Sequence, residues 1–186
     1  ATAMPEPGLV AHHGRGDLVI GPIDARAARD PALAARLQAL VDLFATAQVP
    51  VRISADVMAE LWSKLMVNCA YNAISGIAQA SYGKLTAIGE VRALQEAVVR
   101  EVVALAEAEG VNLPLAPALE AMHKIAGAMP AQLSSTAQDM ARGKPSEIDH
   151  LNGFVARRGA ALGVATPANQ ALYALVRLIE SERGRA

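Results

Sequence analysis

Aromatic side chains are scarce in this sequence: Phe, Trp and Tyr together make up 3% of 186 residues. A core built almost without rings must be filled by Ala, Leu and Val, which the 53% hydrophobic content supplies. Ala- and Leu-rich sequence punctuated by Glu and Arg favours helices. Cysteine is nearly missing too. Cys69 stands alone, which excludes an intrachain disulfide and a cysteine metal cluster. Neither sign of charge prevails, since 17 Lys and Arg face 18 Asp and Glu for a net charge of -1. With no basic run, nucleic acid is not an expected partner. No apolar stretch approaches the ~20 residues of a membrane span. Residues 1–20 contain no continuous apolar segment of the signal-peptide kind. A cytoplasmic protein is the reading these absences leave. One more is informative: no G-x-G-x-x-G follows a strand anywhere, because His13-Gly14-Arg15-Gly16 opens no helix.

What the sequence does hold is a polar stripe. Lys64, Asn68 and Asn72 are spaced i, i+4 and i+8, with Ser75 at i+11. On a helix these four fall within about 80° of one another. Leu61, Leu65, Met66, Val67, Cys69 and Ile74 flank them and are apolar enough to be buried. Asn is a poor helix former, and a buried amide without partners costs roughly 1–3 kcal/mol. The stripe therefore faces a polar ligand or an internal network. A solvated helix face with Lys64 exposed is the alternative.

The N-terminal quarter reads as α/β. Leu9–His12 and Asp17–Ile20 resemble the two strands of a hairpin around His13-Gly14-Arg15-Gly16. Asp30-Pro31 is an N-cap followed by a proline at the first helical position. Leu33, Leu37, Leu40, Val41 and Phe44 mark one face of the helix that follows, and 49–53 is a short edge strand because of Pro50. Everything later is helical. Ser54 or Asp56 caps the stripe helix, which runs to about Ile77, and Ser81–Lys84 is a turn. A second long helix spans Ile88 to Glu109, with Val91, Leu94, Val98, Val102 and Leu105 inward and Gly110 as its stop. Shorter helices begin near Pro114 and at Ser134-Ser135. Ser146-Glu147-Ile148-Asp149 has the form of a capping box for a helix ending at Gly163, and Thr166-Pro167 opens the last one. The boundary falls near residue 54. Residues 1–53 are too few for an independent domain and look like the trailing end of a larger sheet domain.

The stripe, then Gln138-Asp139, then Ser146-Glu147-Ile148-Asp149-His150-Leu151-Asn152-Gly153 closely resemble the ketopantoate reductase (2-dehydropantoate 2-reductase) family. The resemblance covers essentially the whole chain. It implies a mainly α fold: residues 54–186 as the all-helical substrate-binding and dimerisation domain, and residues 1–53 as the last strands and helix of a truncated Rossmann-type dinucleotide-binding domain. The missing glycine-rich loop implies a chain that is inactive alone. The implied activity is NADPH-dependent reduction of a small 2-keto acid, ketopantoate to pantoate, in a homodimer joined through the helical domain.

Under the same resemblance, Lys64 matches the catalytic lysine, the general acid whose ammonium polarises the carbonyl and donates a proton. Asn68, Asn72 and Ser135 match substrate-binding residues, and Glu147 the glutamate that contacts the cofactor ribose. Ser135 as an ordinary N-cap and Glu147 as a favourable charge in a first helical turn are competing readings. Asp139 is placed as a residue orienting a polar partner, with a solvated helix surface as the competing reading. Tyr82 stands where the resemblance implies an asparagine in members acting on ketopantoate, which implies a lost or altered substrate hydrogen bond. His12, His13, His123 and His150 lack metal-ligand spacing, so no metal is expected. Cys69 reads as a small buried hydrophobe. A non-catalytic helical dimerisation or small-acid-binding module, and another two-domain 2-hydroxyacid dehydrogenase, are the rival functions.

Overall fold

The computed structural model describes residues 2–12, 17–24 and 26–183. It divides into two compact units, Ala1–Glu60 and Leu61–Ala186. In the first, β1 (Thr2–Glu6) pairs antiparallel with β2 (Leu9–His12) across Pro7-Gly8, where Gly8 takes φ +84°. Positive φ is a conformation that costs glycine nothing. β3 (Leu18–Ile20) pairs in parallel with β4 (Val51–Ile53), Leu18 opposite Val51 and Ile20 opposite Ile53. Parallel strands need a crossover. It consists of a 3₁₀ turn (Ala27–Arg29) and α1 (Pro31–Thr46), whose start is capped by Asp30 accepting from the Ala32 amide at 2.9 Å.

The hairpin expected between residues 9–12 and 17–20 is therefore corrected. Each strand pairs elsewhere: the tight turn at Pro7-Gly8 claims β2, and the crossover helix brings β4 alongside β3. Residues 13–16, between them, lie outside the described residues. No residue of α1 is buried within this unit; Leu33, Leu37, Val41 and Phe44 are half-covered and Leu40 is exposed.

The rest of the chain is helical, and the fold as a whole is mainly α. α2 (Val57–Ala78) begins after an N-cap at Asp56, whose carboxylate accepts from the Ala59 amide at 3.0 Å. Then come α3 (Tyr82–Thr86), α4 (Gly89–Ala108), α5 (Leu115–Ala128), α6 (Ser135–Ala141), a 3₁₀ turn (Ile148–His150), α7 (Asn152–Leu162) and α8 (Pro167–Arg183). The turn expected at 81–84 is thus the start of a one-turn helix. Met66, Tyr71, Val98, Val102, Leu105, Met122, Ile148, Val155 and Val176 are fully buried in the second unit. The inward seam of α4 is as its spacing predicts at Val98, Val102 and Leu105, while Val91 and Leu94 are only half-buried. Aromatics are few but well used. The Tyr71 hydroxyl donates to the Met122 carbonyl at 2.9 Å, and its ring meets Tyr82 at 4.5 Å. α2 and α6 pack so closely that a Cβ on Gly76 would stand 2.8 Å from Met140 Sδ and Thr136 Cγ2.

Helices α4 and α8 are joined by one carboxylate. Glu101 accepts from the Ala168 amide at 2.7 Å, the Asn169 amide at 2.9 Å and Asn169 Nδ2 at 2.7 Å. A helix N-terminus leaves such amides without partners and favours negative charge. Glu101→Ala is expected to lower stability by about 1–2 kcal/mol, the usual cost of losing a cap, and thermal unfolding of the chain measures it.

Candidate active site

Exposure falls steadily along the stripe of α2. Lys64 is exposed, Asn68 half-buried, Asn72 3% exposed and Ser75 fully buried. A wholly solvated helix face is thereby excluded, because the inner half of the stripe is core. Among the described residues nothing pairs with the Lys64 ammonium or the Asn68 carboxamide. At the inner end the network is internal. Ser75 Oγ donates to the Ala80 carbonyl at 2.8 Å and accepts from the Ser134 amide at 3.3 Å. Ser134 Oγ donates to the Asn72 carbonyl at 3.2 Å and accepts from the Ala137 amide at 3.0 Å.

Ser134 is therefore the N-cap of α6, and the reading of Ser135 as the cap is corrected. Ser135, one residue inside the helix, is exposed, and its Oγ accepts from Asn72 Nδ2 at 3.4 Å. Two residues from different helices, 63 positions apart in sequence, are brought together at the end of the stripe. Asp139, one turn further along α6, is half-buried, and its carboxylate has no hydrogen-bonded partner among the described residues.

Glu147 is exposed and precedes the 3₁₀ turn without capping it. The capping box expected at 146–149 does not form. Ser146 Oγ accepts from the Ile148 amide at 3.3 Å, while the Ser146 amide donates to Glu180 of α8 at 2.8 Å. Asp149 turns outward to α8, accepting from the Tyr173 hydroxyl at 2.5 Å and from Arg177 at 2.7 Å. Arg157 Nη1 lies 3.8 Å from the same carboxylate. The reason is that α8 offers better donors than the backbone amide of Ser146 does. The chain around Glu147 is thus pinned to α8 at two points, with Ile148 fully buried between them.

Spacing on one helix reveals none of these cross-helix partners. Nor does it single out the buried Asn152, Asn169 and Gln95; the one available signal is an asparagine inside the Asn152-Gly153 motif. Tyr82 is 8% exposed, its ring is packed on Tyr71, and among the described residues it makes no hydrogen bond to Asn72 or Ser135. Burial pushes the Cys69 thiol well up. No group of three His, Cys, Asp or Glu side chains that could hold a metal occurs among the described residues, and no helix there is long and apolar enough to cross a membrane.

An all-helical unit with a Lys-Asn-Asn face, preceded by a β–α–β crossover, has clear counterparts. Residues 56–180 match the sequence profile of the ketopantoate reductase PanE/ApbA C terminal region. The 2-dehydropantoate 2-reductase of Vibrio cholerae is 34% identical over 177 residues, 95% of this chain and 57% of that protein. That of Pyrobaculum aerophilum is 42% identical over 131 residues, 70% of this chain and 47% of that protein. The crystal structure of a PanE/ApbA family ketopantoate reductase from Ralstonia eutropha JMP134 is 50% identical and superimposes with a TM-score of 0.85, covering 99% of this chain and 58% of the other. D-mandelate dehydrogenase, solved with NADH and anilino(oxo)acetate, shares the fold with a TM-score of 0.86 at 22% identity. The chain belongs to the ketopantoate reductase family, an oxidoreductase family, and contains its C-terminal domain. It spans about half the length of the curated relatives it matches.

The Tyr173 hydroxyl, with Arg177 and Arg157 adding to it, holds the Asp149 carboxyl below the usual carboxylate range. A depressed native value means stability that is present above the unfolded value, about pH 4, and is lost as pH falls through the native one. Asp149→Asn should therefore unfold at lower temperature than the parent at pH 7, with the gap closing as pH falls below about 4. Thermal melts across that range decide it, and a gap independent of pH would contradict the assignment.

Proposed function

We propose that the chain is the helical, substrate-holding part of an NADPH-dependent reductase of a small 2-keto acid, ketopantoate to pantoate, with Lys64 as proton donor. The observation that carries this reading is the Lys64-Asn68-Asn72 face meeting Ser135 at its inner end, in a chain of this family. Two of these groups, Lys64 and Asn68, make no internal bonds among the described residues and are open to a ligand.

A nicotinamide cofactor supplies the hydride when bound. Lys64 keeps a proton on Nζ for the carbonyl oxygen, where negative charge develops as the carbonyl carbon is reduced. Asn68 offers both an amide donor and an acceptor to the hydroxyl and carboxylate end of the acid. Ser135 Oγ accepts from Asn72 and so has its own proton free for a carboxylate oxygen. Glu147 suits a ribose hydroxyl: its carboxylate is exposed and has no partner of its own among the described residues.

In a protein of the relatives' full length carrying these residues, Lys64→Ala is expected to lower kcat by roughly 10²–10⁴, the range for losing a general acid. Asn68→Ala and Asn72→Ala should mainly raise KM for the keto acid. Steady-state kinetics with ketopantoate and NADPH test both, and a near-wild-type kcat for Lys64→Ala would sink the reading.

The helical domain also serves as a homodimer contact in this proposal. Leu175 and Leu178 of α8 are 48% and 57% exposed, an apolar face that association would cover. Sedimentation should give a dimer that Leu178→Glu dissociates; a monomer at micromolar concentration would remove this part.

A further inference from the structure

The middle of α2 accepts two hydrogen bonds that its own backbone does not require. A mid-helix carbonyl is already bonded by the amide four residues on. Yet the Cys69 carbonyl also accepts from Asn152 Nδ2 at 3.2 Å, and the Ala70 carbonyl from Gln95 Nε2 at 3.2 Å. These two carbonyls lie in sequence between Asn68 and Asn72. Both carboxamides are fully buried, and each leaves its own oxygen, Asn152 Oδ1 and Gln95 Oε1, unpartnered. An orphaned buried acceptor is unfavourable, so stability alone is a poor reason for either amide. At Gln95 a leucine would remove the orphaned oxygen, and at Asn152 it would only exchange that oxygen for Asn169 Oδ1, which Asn152 now satisfies.

Asn152 makes a further connection. Its second amide proton goes to Asn169 Oδ1 at 2.9 Å, and Asn169 is held by Glu101. Asn152 is also the first residue of α7, two residues after the 3₁₀ turn that Glu147 precedes. One side chain therefore ties the segment carrying Glu147 to the centre of the helix carrying Lys64, Asn68 and Asn72. We propose that Asn152 is a positioning residue: its bond to the Cys69 carbonyl sets the Glu147 turn against the α2 stripe, so that keto acid and cofactor are held in register. Gln95 does the same for α2 alone, from α4. This rests on the stripe being the active site, as proposed above.

The test compares Asn152→Leu, Gln95→Leu and Val155→Ala in a protein of the relatives' full length carrying these residues, with Lys64→Ala alongside. Asn152→Leu should keep its Tm within about 3 °C of the parent while kcat/KM falls about 10- to 100-fold, the effect of misplacing groups by an ångström or so. KM should rise for both keto acid and NADPH. Gln95→Leu should raise KM for the keto acid and leave that for NADPH unchanged. Val155→Ala, which opens a cavity one turn along α7, should lower Tm and leave kcat/KM within twofold. Unchanged kinetics in a folded Asn152→Leu would overturn the proposal. So would an equal loss in Val155→Ala, which would reduce the effect to stability. If Asn152→Leu does not fold, Asn152→Ser, which keeps a hydroxyl too short to span both partners, replaces it with the same outcomes. A crippled Lys64→Ala beside a wild-type-like Asn152→Leu defeats only this inference. A silent Lys64→Ala defeats the reading of the stripe itself.

Discussion

A helix that must be core on most of its circumference and polar on the remainder sets the terms for the helical unit. α2 buries Met66, Cys69, Ala70, Tyr71 and Ala73 completely, yet it carries a cation and two carboxamides on one face. Apolar packing alone would let such a helix slide or turn, because contacts between Ala, Val and Leu are non-directional. Directional bonds to its backbone and side chains remove that freedom. They come from α4, α5, α6 and α7, and they concentrate between residues 69 and 75. Lys64 and Asn68, which have no partner among the described residues, lie just outside the fastened stretch.

This division of labour explains why polar residues occupy places where leucine would pack as well. Interiors tolerate exchange of one apolar side chain for another of equal volume, so an apolar core specifies position loosely. Ser75, Ser134, Asn152 and Asn169 each accept or donate across helices, and together they define one arrangement of α2, α6, α7 and α8. The Glu147 turn is treated in the same way from the opposite side, by Tyr173, Arg177 and Glu180 of α8. Rigid placement of a site by such outer contacts is what catalysis by orientation demands.

Much of this arrangement is legible in the amino-acid sequence. Periodicity locates the stripe helix and α4, Asp30-Pro31 and Gly110 mark helix ends, and the spacing of Lys64, Asn68 and Asn72 puts them on one face. Local chemistry serves well wherever the relevant partners are three or four residues apart. It fails where partners are distant. The β2 and β3 strands look like a hairpin because adjacent strands usually pair, but β3 joins β4, 30 residues beyond its end. Ser146–Asp149 looks like a capping box, and its carboxylate goes to α8. Ser134 and Ser135 are indistinguishable as sequence, and only the docking of α6 on α2 makes one a cap and leaves the other available to a ligand. Family resemblance assigns roles to residues at matching positions; the supports beneath them belong to the packing of this chain.

Cys69 gives the arrangement a further property. The lone thiol sits beside Asn68 on α2, yet it is completely enclosed and its burial holds it in the neutral form. Nucleophilic attack and oxidation both require the thiolate and access to it. Electrophiles and peroxides that reach Lys64 and Asn68 therefore find no exposed thiol beside them. The thiol becomes reactive only when α2 leaves its packing, so one cysteine reports, by its labelling rate, on the opening of that helix.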